Sequence, residues 1–157
     1  MTTNRTRRIR RLAAVAAGAV LAAVPGTALA HAEFVSKTSV PANTDQKLTV
    51  NVPEEKGSDV HNIKVVFVVP AGFAVSGCDE KREWTCAISE GSNGRSLVTY
   101  TRSSGADPDG RFTFGAHTPG QAGDYPFPTN QTYSDNTTNR WAGPPGSDNP
   151  APVLKVT

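Results

Sequence analysis

The chain holds three histidines, His31, His61 and His117, and the first of them stands where it can become a chain end. Residues 1–30 have the form of an export signal. Arg5, Arg7, Arg8, Arg10 and Arg11 come first, an apolar run from Leu12 to Val24 follows, and Ala28-Leu-Ala30 closes it as an A-x-A cleavage site. Cleavage after Ala30 would make His31 the first residue of the mature protein. An N-terminal histidine offers two nitrogens in chelating position, the α-amine and imidazole Nδ1, which close a six-membered ring around a metal ion. The expected metal site therefore comes into being only on export and trimming.

Trimming also changes the charge. The leader takes with it five of the 16 lysines and arginines and none of the 14 acids, so the mature chain carries a formal charge of −3. Nucleic-acid binding needs a basic face, and no basic run remains outside the leader. The 127 residues from His31 to Thr157 fit one domain around one core. The apolar run of the leader is too short for a permanent anchor, and no other apolar stretch approaches the ~18 residues of a membrane span. The expected product is soluble and exported: extracellular, cell-wall or periplasmic. Thr6-Arg-Arg-Ile9 faintly matches a twin-arginine signal. Arg10 and Arg11 replace the apolar residues that would follow such a pair, so a plain secretory signal is the expected route.

Two cysteines, Cys78 and Cys86, lie close together, and in an oxidising compartment such a pair is expected to bond. The expected role is a staple on a hairpin, worth about 2–3 kcal/mol of chain entropy; metal ligation by the thiols is the rival role.

The elements that must position His31 read as strands. Pro and Gly recur throughout and few stretches show 3.6-residue periodicity. Glu33–Ser36 is short and partly apolar, and Gln46–Val52 alternates, with Leu48, Val50 and Val52 on one face. Ile63–Val69 is nearly continuous and β-branched, the pattern of a central strand buried on both faces. Trp84–Ile88, Ser96–Thr101, Arg111–Gly115 and Val153–Val156 complete the set, with Tyr125–Tyr133 as a further strand region. Turn clusters at 41–45, 90–94, 107–110 and 119–123 separate them, and Pro144–Pro152 forms a stiff loop before the last strand. Seven or eight short strands with regular turns predict an all-β fold, a single Greek-key β-sandwich.

Read as a hairpin centred near Asn43, the first two strands pair residues whose numbers sum to about 86. His31 then falls opposite position 55, where Glu54 and Glu55 stand. Side chains alternate faces along a strand, so only one glutamate points at His31, and Pro53 leaves the parity open between them. An amine, an imidazole and a carboxylate make an N,N,O set that suits divalent Cu, Ni or Zn, with Cu(II) first in the Irving–Williams order. The sole methionine, Met1, leaves with the leader, so no thioether remains for Cu(I) or for a blue-copper axial ligand. His61, in a loop after Ser58-Asp-Val60, and His117, at the end of a strand, could each add a second imidazole. Glu33 adds another nearby carboxylate. Trp84 and Trp141 read as core residues, Trp141 in a loop-like setting where part of its ring could face a site. No G-x-S-x-G, H-E-x-x-H or P-loop is present, and no nucleophile–base pair assembles.

Taken in order, His31-Ala-Glu-Phe, Val40-Pro-Ala-Asn-Thr, Leu48-Thr-Val-Asn-Val-Pro-Glu-Glu55, Lys64–Pro70, Trp84, Gln131-Thr-Tyr-Ser-Asp135, Trp141-Ala-Gly-Pro144 and Pro150-Ala-Pro-Val153 resemble the YcnI-like copper-binding domain family, long catalogued as a domain of unknown function. The likeness covers almost the whole mature chain. It implies a sandwich of cupredoxin-like or immunoglobulin-like type and a Cu(II) site whose single histidine is the mature N-terminus. It also implies a glutamate ligand one residue beyond the Val-Pro of the second strand, which matches Glu55, with Glu54 in a place usually held by Asn; the tryptophan near the metal matches Trp141. The chain departs from the pattern at residues 32–34, Ala-Glu-Phe where Val-Thr-Val is common, and in its Cys78/Cys86 pair.

The expectation is a signal peptide over 1–30 and one copper-binding β-sandwich over 31–157, not an enzyme, that buffers copper, acquires it or passes it to another copper-handling protein. Two alternatives stand beside it: a copper oxygenase with a histidine brace completed by His61 or His117, and a secreted structural or adhesion sandwich without a specific metal.

Overall fold

The described part of the chain forms twelve strands, the core ones driven by apolar residues at every second position: β1 (Glu33–Phe34), β2 (Ser39–Val40), β3 (Asp45–Asn51), β4 (Asn62–Val69), β5 (Ala74–Cys78), β6 (Thr85–Glu90), β7 (Ser96–Thr101), β8 (Arg111–His117), β9 (Gly123–Pro126), β10 (Thr129–Tyr133), β11 (Thr138–Trp141) and β12 (Val153–Val156). The computed structural model describes residues 31–103, 105, 107 and 109–157. The leader and cleavage site expected over residues 1–30 lie outside the described residues. No described helix is long and apolar enough to cross a membrane.

Two sheets face each other. One has the order β1-β3-β8-β5, the other β11-β10-β4-β7-β6, and a third small sheet, β2-β12-β9, adjoins them. The chain crosses between the two large sheets at β3 to β4, β4 to β5, β5 to β6 and β7 to β8, the connectivity of a sandwich. Leu48, Val50, Phe112 and Phe114 from one sheet meet Phe67, Val98 and Tyr100 from the other, all at most 1% exposed. Phe67 packs on Phe112 and Phe114 at ring-centroid distances of 5.9 and 5.5 Å. Phe127 joins the third sheet to this core through Phe34, Phe73 and Phe114. Each such side chain contributes roughly 1.5–3 kcal/mol on burial.

Three expectations need correction. First, β4 is central, between β10 and β7, but only one face is fully buried: Val65, Phe67 and Val69 point inward while Val66 and Val68 are half-covered. The sandwich has one core, so its outer face needs no second layer. Second, Tyr125–Tyr133 is two strands in different sheets, broken at Phe127-Pro128. Third, the Cys78–Cys86 disulfide forms, but it is not a hairpin staple. It ties β5 to β6, the edge strands of opposite sheets, and so closes one seam of the sandwich.

Candidate metal site

His31 sits two residues before the start of β1, and two neighbours hold it there. Ala32 and Phe34 are buried at 3% and 5% exposure, anchoring the start of the domain in the core. The backbone ladder adds Glu33 opposite Asn51, Phe34 opposite Val50, and a bond from Val35 N–H to the Thr49 carbonyl of 3.0 Å. This register is two residues short of the one expected from a simple hairpin, because the connection is not a hairpin turn: within it, β2 leaves to pair with β12 in another sheet. The ladder with β3 ends at Asn51, and Pro53, which has no N–H to donate, follows. Pairing therefore does not place Glu55 beside His31. The loop beyond Pro53 does.

That loop is held by alternate side chains of β10 and the turn after it. Gln131 Nε2 donates to the Pro53 carbonyl at 2.7 Å. The Glu55 backbone lies near the Tyr133 hydroxyl and favours its ionised form. Asp135 accepts from Lys56 Nζ at 2.8 Å. Residues 131 and 135 thus grip residues 53 and 56, with Tyr133 beside residue 55 between them.

The two glutamates part company at this point. Glu54 accepts from the backbone N–H of Asn62 at 2.8 Å, and its other oxygen lies 3.3 Å from His61 Nδ1. It is committed to the start of β4. Glu55 turns the other way, where Asn139 Nδ2 donates to its Oε2 at 3.2 Å. Desolvation raises the Glu55 pKa above its ordinary value of 4.5, and the nearby His31 imidazole pulls it part of the way back.

Trp141 ends β11 and is 1% exposed. Its ring stands edge-on to His31, centroids 6.1 Å apart and planes at 63°. The indole Nε1–H donates to Gln131 Oε1 at 2.9 Å, and Gln131 Nε2 donates to Asn62 Oδ1 at 2.6 Å as well as to Pro53. An indole nitrogen can only donate and a carbonyl can only accept, so this pattern fixes which way the Gln131 amide faces. His31 Nε2 is buried without a hydrogen-bond partner. An orphaned ring nitrogen is costly unless a water or another group completes it, and Nε2 is not the nitrogen that would chelate together with the α-amine, which is Nδ1. An imidazole and a partly desolvated carboxylate near one another suit a divalent cation of the Cu, Ni or Zn class. The amine that completes the expected set would come from cleavage before His31.

The other expected ligands are placed elsewhere. His117 pairs across the ladder with Asp45, its Nδ1 2.8 Å from Asp45 Oδ1, at the far end of β3 from Asn51. Six residues of strand put it roughly 20 Å from the His31 end. His61 is taken up by Glu54. Among the described residues, no three His, Cys, Asp or Glu side chains gather to hold a metal on their own, so neither histidine joins His31 and Glu55 in such a group. Glu33 is exposed and lines, with His31, a cleft of about 310 Å³ walled by Pro145, Pro150 and Pro152. The cysteines are consumed by their disulfide, which removes them as thiolate ligands. Sequence reasoning named Gln131 and Tyr133 only within the family resemblance, without a role, and missed Asn62 and Asn139. The alternation of Gln131, Tyr133 and Asp135 was the available signal, but a polar alternation does not announce a buried face.

The family model "Domain of unknown function (DUF1775)" matches residues 31–156. No curated protein matches the chain. Among solved structures, the chain is similar to an uncharacterized protein from Nocardia farcinica with an immunoglobulin-like fold, at 21% identity and a TM-score of 0.68, covering 81% of this chain and 98% of that one. It is also similar to the cohesin module of a Clostridium perfringens family 33 glycoside hydrolase, at 8% identity and a TM-score of 0.55, covering 81% and 96%. At these identities the likeness shows the fold: an all-β, immunoglobulin-like sandwich.

Proposed function

The chain belongs to the DUF1775 family, and from that premise we propose that it is an exported Cu(II)-binding protein with a single-histidine site built on His31. In this reading the family is the YcnI-like copper-binding one that the sequence resembles. His31 supplies the imidazole and, after cleavage, the α-amine; Glu55 supplies a carboxylate oxygen; Trp141 walls the site. Copper is cargo here: the protein buffers it, acquires it or hands it to another copper-handling protein outside the cytoplasm, and is not an enzyme.

One observation carries the reading. The His31 ring, which supplies the Nδ1 of the expected chelate, packs against Trp141 and acts electrostatically on Glu55. Asn139 occupies Glu55 Oε2 and leaves the other carboxylate oxygen for a cation. Protons compete with the metal for amine, imidazole and carboxylate, so affinity falls toward acid pH.

The test is calorimetric titration with Cu(II) of protein beginning at His31, its N-terminus checked by sequencing. Binding tighter than micromolar that is lost in His31→Ala, and in a chain extended by one residue before His31, is the expected result. Micromolar or weaker binding, unchanged in His31→Ala, would overturn the reading. Paramagnetic resonance of the loaded protein should show nitrogen coupling from one imidazole; coupling from two would favour the histidine-brace alternative.

A further inference from the structure

Gln131 is fully buried, and its one amide group binds both halves of the candidate site. Its oxygen accepts from the Trp141 indole N–H at 2.9 Å, and the same indole packs on His31. Its nitrogen holds the Pro53 carbonyl at 2.7 Å, two residues before Glu55. The same nitrogen donates to Asn62 Oδ1 at 2.6 Å, and the Asn62 backbone N–H in turn fixes Glu54.

From this we propose that Gln131 is the positioning residue of the site, coupling the setting of Trp141 against His31 to the setting of the Glu55 loop. The proposal deepens the copper-binding reading and rests on it for its ligand. The physical reason is that β1 and the 53–56 loop share no ladder at this point, since pairing stops at Asn51. Without a common anchor, the imidazole end and the carboxylate end would each find their own place. An amide is the group that can join them, because it presents one acceptor and one donor edge in a rigid plane. A Trp N–H needs the first and a peptide carbonyl the second. A shift of one end is then passed to the other through a buried, oriented group, as outer partners of metal ligands do.

The mechanism separates two substitutions. Gln131→Met keeps the volume and removes all three bonds. Gln131→Glu keeps the acceptor for Trp141 and replaces the donor that faces Pro53 and Asn62. Both would be made in protein beginning at His31, which contains every strand of the fold. Three readouts apply: contacts between the His31 and Trp141 rings by NMR without metal, the Cu(II) dissociation constant, and thermal melting. Tyr100→Phe serves as a control for lost stability, since Tyr100 bonds the Thr113 carbonyl at 2.6 Å in the core.

Gln131→Met should lose the ring contacts and bind Cu(II) 10–100-fold more weakly, the range expected for loss of an outer partner. Gln131→Glu should keep the ring contacts yet still bind more weakly. Tyr100→Phe should melt lower with contacts and affinity unchanged. Retained ring contacts in Gln131→Met would overturn the proposal, as would a loss of affinity that merely tracks melting temperature across all three variants. If Gln131→Met does not fold, Gln131→Glu decides: unchanged affinity overturns the proposal and weakened affinity supports it. If the parent protein binds no Cu(II) through His31, the copper reading fails on its own. The ring contacts then decide the role of Gln131 without reference to metal.

Discussion

Trp141 presents itself edge-on to His31, ring centroids 6.1 Å apart, while its own N–H points away to Gln131. The indole therefore shields the imidazole without competing for its nitrogens. A Cu(II) ion bound at His31 would lie within reach of this indole, and paramagnetic ions quench indole emission at short range.

Copper should accordingly quench the intrinsic fluorescence of the protein chiefly through Trp141. The chain has two tryptophans, so the assignment is direct. Trp84→Phe should keep most of the quenching and Trp141→Phe should lose most of it. Equal quenching in the two variants would move the ion away from Trp141. Because Trp141 is 1% exposed, truncation to Ala would cost about 3–5 kcal/mol of stability, and Phe is the informative change.

The disulfide should matter for stability and not for copper. Cys78 and Cys86 join β5 to β6, whereas His31 and Glu55 lie ahead of β1 and on the loop after β3, across the sheet from β5. The paired variant Cys78→Ser/Cys86→Ser should lose about 2–3 kcal/mol in denaturant unfolding, by the entropy of the short closed loop. Its Cu(II) affinity should match the parent. A large loss of affinity would place the seam, not the loop, in control of the site.

Much of the sandwich was legible because its core strands alternate strongly: Leu48, Val50 and Val52, or Val65, Phe67 and Val69, can be read straight off the chain. The strands that escaped notice lack that signature. β5 contains Ser76 and Gly77, β2 is two residues long, and β11 carries Thr, Asn and Arg before Trp141. On β10 the inward set is Thr129, Gln131 and Tyr133, which buries amide and hydroxyl groups in place of methyls. The hairpin register that sets positions 54–55 opposite His31 is off by two residues, because β2 interrupts the connection, and it leaves Glu54 and Glu55 undivided; the choice of Glu55 rests on the family resemblance. What brings Glu55 round is a set of side-chain bonds from a strand some 80 residues later, and no short-range rule encodes that. The division of labour between Glu54 and Glu55 was invisible for the same reason: it depends on Asn62 and Asn139.

At high pH the fold should loosen before its phenols ionise in place. Burial, first of all, raises both Tyr100 and Tyr133 to about 12, with Asp79 adding to the first and Glu55 to the second. A phenol that is harder to ionise when folded gives stability that is complete below the unfolded value near 10 and lost as pH rises through about 12. The loss is on the order of 2–3 kcal/mol for each tyrosine at the limit. Denaturant midpoints should fall steadily above pH 10, and Tyr133→Phe should flatten that fall. A parent midpoint constant to pH 12 would contradict this account.

Asp135 behaves in the opposite sense. Its hydrogen bonds to Lys56 first, and to Thr137, lower its pKa to about 2. Its stabilising effect is present above the unfolded value of 3.8 and disappears as pH falls through about 2. Carboxyl titration by NMR should find this group the most acidic of those in the 53–56 and 131–135 segments. Lys56→Ala should return it toward 3.8. No movement in that variant would remove Lys56 from the clamp.

Glu55 gives the prediction that separates ligand from scaffold. Desolvation holds its pKa above 4.5, so the folded protein retains the proton longer than the unfolded chain does. Stability therefore declines as pH rises from 4.5 through the raised value, and at neutral pH the ionised carboxylate is a cost to the metal-free fold. A cation beside His31 would relieve that cost; a neutral amide would avoid it. Glu55→Gln keeps an oxygen for Asn139 and leaves the backbone at this position unchanged. The metal-free variant should thus melt at or above the parent at neutral pH, and the two should converge near pH 4. Its Cu(II) affinity should drop by at least the 10–100-fold that follows loss of an outer partner, and added Cu(II) should no longer raise the melting temperature as it does in the parent. A variant that melts lower and still binds copper would make Glu55 a structural acid, with the carboxylate ligand to be sought at Glu33.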